Sequence, residues 1–288
     1  MARAGVEIEN QQVAMGKWIR SNLPPDARIL ANDVGALGWL ARRPLFDLVG
    51  LVTPGQAAAY AEGPGSVFER FENLSPDALP THMALYPDWL GIPALLGPVL
   101  ARFDLRHPPI AAGEQVAVVA KADWALLHSG DAPRHRPESL IVSDVLDVAD
   151  LSSETTHAFT MERPAPLRGA RFQTLLFVDR ASTTEPIADG GRKLRGKTRF
   201  TLKPHSNEGS TLIIRLTSNE GAFLEVWVNA HRIEGIDVLS DPHFVEETVR
   251  IPPSETSPLE ITLRPLSGGP IAFYHAWLME ESPGAEER

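Results

Sequence analysis

The chain has 288 residues, a formal net charge of −10, a hydrophobic share of 43% and a charged share of 22%, which are proportions typical of a folded protein. Its acidity repels phosphate backbones, so we expect no nucleic-acid partner, and the absence of cysteine excludes disulfides, thiol catalysis and cysteine-bound zinc. The 25 prolines and 22 glycines predict many turns and few long helices, and no motif predicts a cofactor.

The first half of the chain alternates helical and strand-like patterns. Residues 5–21 predict a helix with an apolar face, and Pro24-Pro25 follows its end. Three buried-type strands come next, separated by two short helices: strands "ARILAND", "PLFDLVGLV" and "THMALYP", helices "GALGWLA" and "PGQAAAYAE". Because such alternation favours a largely parallel sheet, residues 1–131 are predicted to form a small βαβ-type, Rossmann-like α/β domain.

From about residue 165 the helical pattern gives way to strand-length runs separated by turn residues. Their spacing and alternation predict an antiparallel, jelly-roll-like β-sandwich over residues 153–288. In the run 259–264 the three apolar side chains are expected in the core and the alternating polar ones in water. Asn229-Ala230 predicts a tight hairpin turn. The stretch 132–152, Pro-rich and then acidic, is interpreted as a linker.

Two acidic residues lie near the predicted carboxyl ends of neighbouring strands, where ligands bind in open α/β sheets. Asp33 and Asp47 are therefore candidate paired carboxylates of a glycan-active enzyme. The alternative is structural: Asp33 caps the following helix, because a carboxylate there accepts free N–H groups, and Asp47 pairs with Arg42 or Arg43. The glycines between them complete neither a dinucleotide fingerprint nor a P-loop.

The acidic residues around the predicted linker suggest an oxygen-rich cation site. Its candidate ligands are Asp144, Asp147, Glu154 and His157. The alternative is a solvated linker that leads into an acidic helix start. No loop with ligand-like spacing is present, so the prediction is that the chain holds no metal.

The run "GGRKLRGKTRF" at 190–200 concentrates positive charge. As candidates for binding an anionic headgroup or a phosphorylated sugar carrier it offers five cations: Arg192, Lys193, Arg195, Lys197 and Arg199. The alternative is an exposed hairpin loop, which the alternating spacing of the charges favours.

Aromatic side chains in the second half are candidates for stacking on sugar rings. These carbohydrate-binding candidates are Trp227, Tyr274 and Trp277. Strand alternation predicts that Phe273, His275 and Trp277 share one face of their strand and that Tyr274 faces the other way. Some of these side chains must therefore belong to the core.

The stretch "WIRSNLPPDARILANDVGALGWLARRPLFDLVGLVTP" resembles the segment that follows the last membrane helix in polytopic bacterial glycosyltransferases of the GT-C superfamily, relatives of the dolichyl-phosphate-mannose protein mannosyltransferases. The resemblance is carried by Asp33, Gly35, Gly38, Asp47, Gly50, Leu51 and Pro54, and it continues through "YPDWL", "ADWALLHSG" and "DVLDVADLSSETTHAF". Trp39 stands where the family pattern often has Tyr.

The resemblance implies transfer of a sugar from a polyprenyl-phosphate carrier by membrane helices that this sequence does not contain. No catalytic residue can therefore be carried over, and the chain would be the soluble extracytoplasmic portion or a stand-alone relative of it. The sequence has no run of about 18 apolar residues and no signal-peptide core. We expect the outer side of the inner membrane for a fragment of a membrane protein, and the cytoplasm if Met1 is the native start.

Three functional hypotheses follow. The leading one is a non-catalytic accessory or carbohydrate-binding module that assists envelope glycan or glycolipid assembly. Its partners would be a glycan or lipid-linked sugar and a membrane glycosyltransferase. The second is a soluble enzyme that uses Asp33 and Asp47, and the third is a purely structural assembly module.

Overall fold

The computed structural model describes residues 2–162, 173–181 and 185–282. The chain forms two compact units, Met1–Leu127 and His128–Arg288. Within the described residues, no helix has both the length and the apolar character needed to cross a membrane.

The first unit begins with one continuous helical stretch. It consists of α1 (Ala2–Ile8), a π-helical turn (Glu9–Val13) and α2 (Ala14–Asn22). Met15 and Ile19 are buried on its inner side, as the apolar periodicity predicts. The helix ends where Leu23 takes an extended conformation before Pro24, which agrees with the restriction that proline places on the preceding residue.

The rest of the first unit contains three further α-helices, two short 3₁₀ helices (Trp89–Gly91 and Pro93–Leu95) and a five-stranded sheet, called sheet I. The elements are β1 (Ile29–Ala31), α3 (Gly35–Ala41), β2 (Leu45–Asp47), α4 (Gln56–Glu62), α5 (Pro64–Glu72), β3 (His82–Leu85), β4 (Leu96–Asp104) and β5 (Val116–Ala122). The strand order is β2-β1-β3-β5-β4. Strand β1 runs parallel to β2 and β3, whereas β5 is antiparallel to β3 and β4. The sheet is therefore mixed rather than largely parallel.

Two features of this unit depart from the alternation of strands and helices predicted for residues 1–131. The loop between β4 and β5 contains no helix, and a short connection of that kind joins antiparallel strands. Helix α5 lies between the predicted helix "PGQAAAYAE" and the predicted strand "THMALYP", where no element was predicted. It forms because Val67, Phe68 and Phe71 fall on one helical face, and all three are buried.

The second unit contains one short helix and eleven strands among the described residues. The elements are β6 (Leu140–Asp147), α6 (Leu151–Thr156), β7 (Thr160–Met161), β8 (Thr174–Asp179), β9 (Ile187–Leu194), β10 (Thr198–Leu202), β11 (Ser210–Ser218), β12 (Ala222–Val228), β13 (His231–Val238), β14 (Asp241–Ile251), β15 (Leu259–Gly268) and β16 (Ile271–Glu281).

These strands form two antiparallel sheets. Sheet II has the order β13-β12-β15-β10-β7, and sheet III has the order β14-β11-β16-β9-β8 with β6 also paired to β16. Alternate residues of both sheets, such as Leu224, Leu263 and Phe273, meet in one buried core. The unit is an antiparallel β-sandwich, consistent with the predicted all-β jelly roll.

The segment predicted as a linker is partly a structural member of the sandwich. Within 132–152, strand β6 pairs antiparallel with β16, with Ala276 opposite Leu146. Leu146 is fully buried in the sandwich core. The proline and acid content of the segment disguised the apolar residues that make this strand.

Local details of the sandwich follow the predicted patterns with one exception. Asn229 and Ala230 both have positive φ, 47° and 66°, as a tight hairpin turn between β12 and β13 requires. The exception is β16, where Arg215 lies opposite His275 but the next residue, Leu216, lies opposite Phe273. Tyr274 is thus the extra residue of a bulge, which reverses the alternation of side chains along the strand.

Candidate functional site

The carboxylates of Asp33 and Asp47 both accept hydrogen bonds from backbone N–H groups. The Asp33 carboxylate accepts the N–H of Gly35, the first residue of α3, at 3.3 Å. Asp47 is fully buried, and its two carboxylate oxygens accept the N–H groups of Val49 and Val52 at 3.0 and 2.9 Å. These bonds explain both acids as turn and helix-start residues without a ligand.

The predicted partners of Asp47 are placed elsewhere. Arg43 donates to the backbone carbonyls of Pro24 and Leu23 at 2.7 Å, and Arg42 ends α3 in the left-handed conformation. The expected pairing of Asp47 with an arginine is therefore wrong, because the turn that follows β2 offers two closer N–H donors. A buried carboxylate with both oxygens occupied is poorly placed to act as a general acid or base.

Only two of the four candidate metal ligands, Asp144 and His157, come together. Asp144 lies 3.2 Å from the Nε2 atom of His157, and its other oxygen accepts the N–H of Lys203. Glu154 is paired with the guanidinium group of Arg192. Asp147 instead approaches the Nε2 atom of His275, at 3.8 Å. Glu154 and Asp147 thus have partners outside the set, and the four residues do not form one cation site.

The basic run separates into buried and exposed members. Arg192 is buried in β9, where its Nη2 atom donates to Glu154 at 2.9 Å. Arg192 therefore belongs to a structural ion pair and does not serve as a ligand for an anionic headgroup. Lys193 and Arg195 are exposed in and after β9, Lys197 is partly exposed before β10, and Arg199 is exposed within β10.

Tyr274 and Trp277 are unavailable for stacking on a sugar. Trp277 has no exposed surface, and its indole N–H donates to the carbonyl oxygen of Asp131 at 2.9 Å. Tyr274 is 1% exposed, its hydroxyl lies 3.0 Å from that of Thr217, and burial raises its pKa. The bulge at Tyr274 places both side chains on the outer face of sheet III, where neighbouring segments cover them.

A buried charged cluster lies beside Trp277. Arg215 has no exposed surface and donates to Asp189 and Glu246, each at 2.8 Å. Its guanidinium group also donates to the carbonyl oxygen of Gly130. These contacts fasten the start of the second unit onto sheet III, so the cluster serves the fold.

His275 supplies the second positive charge of this cluster. Its Nδ1 atom lies 2.9 Å from Asp189, and its ring stacks on that of Trp277 at 4.8 Å. Burial by itself lowers the pKa of His275, but the carboxylates of Asp189 and Asp147 outweigh that effect and raise the pKa to about 9. The imidazolium form is therefore stabilised between the carboxylates of Asp189 and Asp147. These three residues lie close enough together to hold a metal ion, and here the charged ring itself supplies the positive charge.

A polar cleft of about 570 Å³ opens between β6 and β10. Its lining residues are Ser143, Asp144, Thr156, His157, Thr201, Lys203, His205, Ser257 and Pro258. The described lining includes no Trp, Tyr or Phe on which a sugar ring could stack, and Asp144 is already bonded to His157. The cleft offers hydrogen-bond donors but no apolar anchor.

Trp227 is the one sugar-stacking candidate of the three that keeps exposed surface. It is partly exposed on β12, and its indole N–H donates to a carboxylate oxygen of Glu225 at 3.0 Å. The other oxygen of Glu225 pairs with Arg232 at 2.8 Å. The guanidinium carbon of Arg264 lies 5.1 Å from the centre of the Trp227 ring, a cation–π distance.

The strand register places these side chains on one surface. Trp227 lies opposite Arg232 on β13 and opposite Thr262 on β15, and Thr262 lies opposite Arg199 on β10. Opposite residues of antiparallel strands point to the same face of a sheet. We call this surface the Trp227 face, and it comprises Arg199, Glu225, Trp227, Arg232, Thr262 and Arg264.

The sequence patterns identified only part of this face. Alternation in the runs 222–228 and 259–264 separates core from outward positions correctly, although Thr262 is covered by its neighbours and only 6% exposed. Which outward residues become neighbours depends on strand order and register, and no local signal encodes either. Arg232 and Arg264 were missed for that reason.

Comparison with known families and sequences gives limited matches. Residues 6–140 match a family model described as "Domain of unknown function (DUF8728)". No curated protein sequence matches the chain.

Several solved structures are similar to parts of the chain. One is a family 35 carbohydrate-binding module from an environmental isolate, with 15% identity, a TM-score of 0.32 and coverage of 48% of this chain and 96% of that chain. Another is the module CBM6cm-2 from Cellvibrio mixtus lichenase 5A in complex with cellotriose, with 12% identity, a TM-score of 0.30 and coverage of 49% and 100%. A family 35 module from Clostridium thermocellum has 12% identity, a TM-score of 0.29 and coverage of 50% and 99%.

Proposed function

We propose that the second unit is a non-catalytic carbohydrate-binding module and that the Trp227 face is its binding surface. The observation that carries the proposal is the placement of Trp227. Among the three aromatic candidates it alone retains exposed surface, and charged hydrogen-bonding groups surround it. Sugars have apolar C–H faces and polar hydroxyl edges, so a ring bordered by such groups suits both parts.

Neighbouring side chains hold the Trp227 ring in place. Glu225 fixes the indole N–H, and Arg232 in turn fixes Glu225. Gly235, opposite Glu225, has no side chain, and a Cβ atom there would lie 2.6 Å from the Phe223 ring and 2.7 Å from Arg232. A surface ordered in this way loses little side-chain entropy when a ligand binds.

The test of this proposal is a binding screen with matched tryptophan variants of the full chain. A panel of neutral and acidic soluble polysaccharides is screened by affinity electrophoresis, and each ligand found is measured by calorimetry. We expect Trp227→Ala to abolish binding, and Trp39→Ala, which removes a 79% exposed tryptophan of the first unit, to leave binding unchanged. A folded chain that binds no glycan of the panel, or equal binding by Trp227→Ala, would contradict the proposal.

The cellular setting is part of the same proposal. The motif run that includes Asp33, Gly50 and Pro54 resembles the region after the last membrane helix of GT-C glycosyltransferases, which supports a role beside a membrane glycosyltransferase on the outer side of the inner membrane. Fractionation of source cells and immunoblotting for this polypeptide tests it. We expect the protein to pellet with membranes, and recovery only in the soluble fraction contradicts it.

Each of the two alternative functions makes a prediction of its own. The enzyme hypothesis requires Asp33 and Asp47 to be available, and the backbone hydrogen bonds of both carboxylates count against it. The assembly hypothesis predicts that the chain binds no glycan. It also predicts that the Trp227→Ala variant stays folded but no longer binds a protein partner.

A further inference from the structure

The Trp227 face carries cations with no acidic partner. Arg199 and Arg264 are both exposed, and neither forms an ion pair within the described part of the chain. Arg232 differs, because Glu225 lies 2.8 Å from it. In register, Glu225 lies directly opposite Arg264, but its carboxylate pairs with Arg232 and accepts the indole N–H of Trp227. Glu260 lies beside Thr201.

The two unpaired arginines lie on adjacent strands. Arg199 on β10 is opposite Thr262, and Arg264 is two residues further along β15 on the same side. Adjacent strands are about 4.8 Å apart, and two residues span about 7 Å, so both guanidinium groups can reach one ligand. Two such cations on a chain of net charge −10 indicate an anionic ligand rather than a general positive field.

We infer that the ligand of the Trp227 face is an acidic glycan, with sugar carboxylates bound by Arg264 and Arg199. The inference rests on the proposed function and specifies its ligand class. A sugar that packs on the Trp227 ring brings its carboxylate to Arg264. That guanidinium group then exchanges its contact with the ring for a two-pronged pair with the carboxylate, a geometry that arginine favours and lysine does not.

An anionic membrane fits this face less well. Recognition of acidic lipids uses clusters of about 4–8 lysines and arginines, whereas two cations of the face are unpaired. Thr262 is almost fully covered, and Trp227 is held by Glu225 within the sheet surface, so neither side chain projects for insertion into lipid. Lys193 and Arg195 belong to β9 and the turn after it, not to this face.

The experiment uses charge-matched pairs of ligands and the full chain. Polygalacturonate, alginate and hyaluronate are each tested by calorimetry before and after methyl esterification of their carboxylates. We expect at least one acidic form to bind and its ester to bind at least tenfold more weakly. Because a hydrogen bond to a charged group is worth about a factor of ten or more, Arg264→Gln and Arg199→Gln should each weaken binding about tenfold.

A matched control removes the same charge from another surface. Arg250 is exposed on β14 of sheet III, so Arg250→Gln should leave binding unchanged. Circular dichroism and the urea midpoint of each variant show that it is folded. Raising the salt concentration should weaken binding to the acidic form and leave binding to any neutral glycan unchanged.

Each other outcome overturns the inference in a recognisable way. Equal binding to acid and ester, or binding only to neutral glycans, leaves the carbohydrate-binding proposal standing and removes the acidic ligand. Binding to vesicles of phosphatidylglycerol and phosphatidylcholine but to none of the three polysaccharides shows that the face is a lipid site. Equal losses in Arg264→Gln and Arg250→Gln show that only overall charge matters.

Discussion

The guanidinium group of Arg264 lies over the ring of Trp227, with 5.1 Å between the guanidinium carbon and the ring centre. The two residues come from neighbouring strands, β15 and β12, and the hairpin partner Arg232 completes the surroundings of the ring. The contact places an aromatic surface and a cation on the outside of sheet II. The proposed carbohydrate site depends on this pair.

Trp227 and Trp277 should respond oppositely to replacement by alanine. Trp277 has no exposed surface, so Trp277→Ala should destabilise the sandwich by about 3–5 kcal/mol. Trp227→Ala should cost much less and abolish glycan binding instead. Urea unfolding and calorimetry on both variants check this, and a strongly destabilised Trp227→Ala chain would show that Trp227 is structural.

Arg215 should be among the most sensitive positions of the second unit. Arg215→Met removes a fully buried cation and leaves Asp189 and Glu246 facing each other without it. Loss of one partner from a buried pair typically costs about 3–5 kcal/mol. The urea midpoint measures the effect. Arg250→Met, at an exposed position, is the control, and equal small effects of the two changes would refute a structural cluster.

His275 should make the stability of the protein depend on pH. Its pKa in the folded state is about 9 and the ordinary value is 6.5, so its contribution is fully present below pH 6.5 and is lost as the pH rises through 9. The shift corresponds to a change on the order of 3 kcal/mol.

Unfolding by urea at several pH values, for the native chain and His275→Gln, isolates this effect. The free energy of unfolding of the native chain should decrease between pH 6.5 and 9 by more than that of the variant. Parallel pH profiles would mean that His275 is neutral in the folded state.

Asp47 should matter for folding and not for binding. Asp47→Ala leaves the N–H groups of Val49 and Val52 without their acceptor, which should lower the stability of the first unit by about 1–3 kcal/mol. Glycan affinity of the folded fraction should remain that of the native chain. A stable variant that loses a glycan-directed activity would restore the enzyme hypothesis.

Local patterns were enough for many elements of the fold. Pro24 marks the end of α2, and the apolar runs mark β1, β2 and β3. The turn at Asn229-Ala230 also follows from local chemistry, because asparagine tolerates positive φ.

Tertiary features decided the rest. Helix α5 was hidden by the proline and glycine at its start, although proline is favoured at the first position of a helix. The bulge at Tyr274 cannot be inferred from β16 alone, since it arises from the pairing with β11. A uniform alternation therefore assigned Phe273 and Trp277 to the same face, whereas Phe273 belongs to the sandwich core and Trp277 to the outer cluster.

The sequence predicted the kind of residue in the candidate site but not which residues form it. The sequence indicated aromatic residues of the sandwich, but Tyr274 and Trp277 are buried and cannot contact a sugar. Arg192 is excluded as an anion ligand because it is paired with Glu154. Arg199 entered as part of a basic run along the chain. Its relation to Trp227 exists only through the register of β10, β15 and β12.

The most direct test of the account is fluorine NMR of the full chain labelled with 5-fluorotryptophan. The six tryptophans give resolvable signals, and Trp227→Phe and Trp277→Phe assign the two of interest. On titration with the glycan that binds most tightly, we predict that the Trp227 signal shifts and the Trp277 signal does not. A shift confined to other tryptophans, with the Trp227 signal unmoved at saturation, would contradict the claim that the Trp227 face binds carbohydrate.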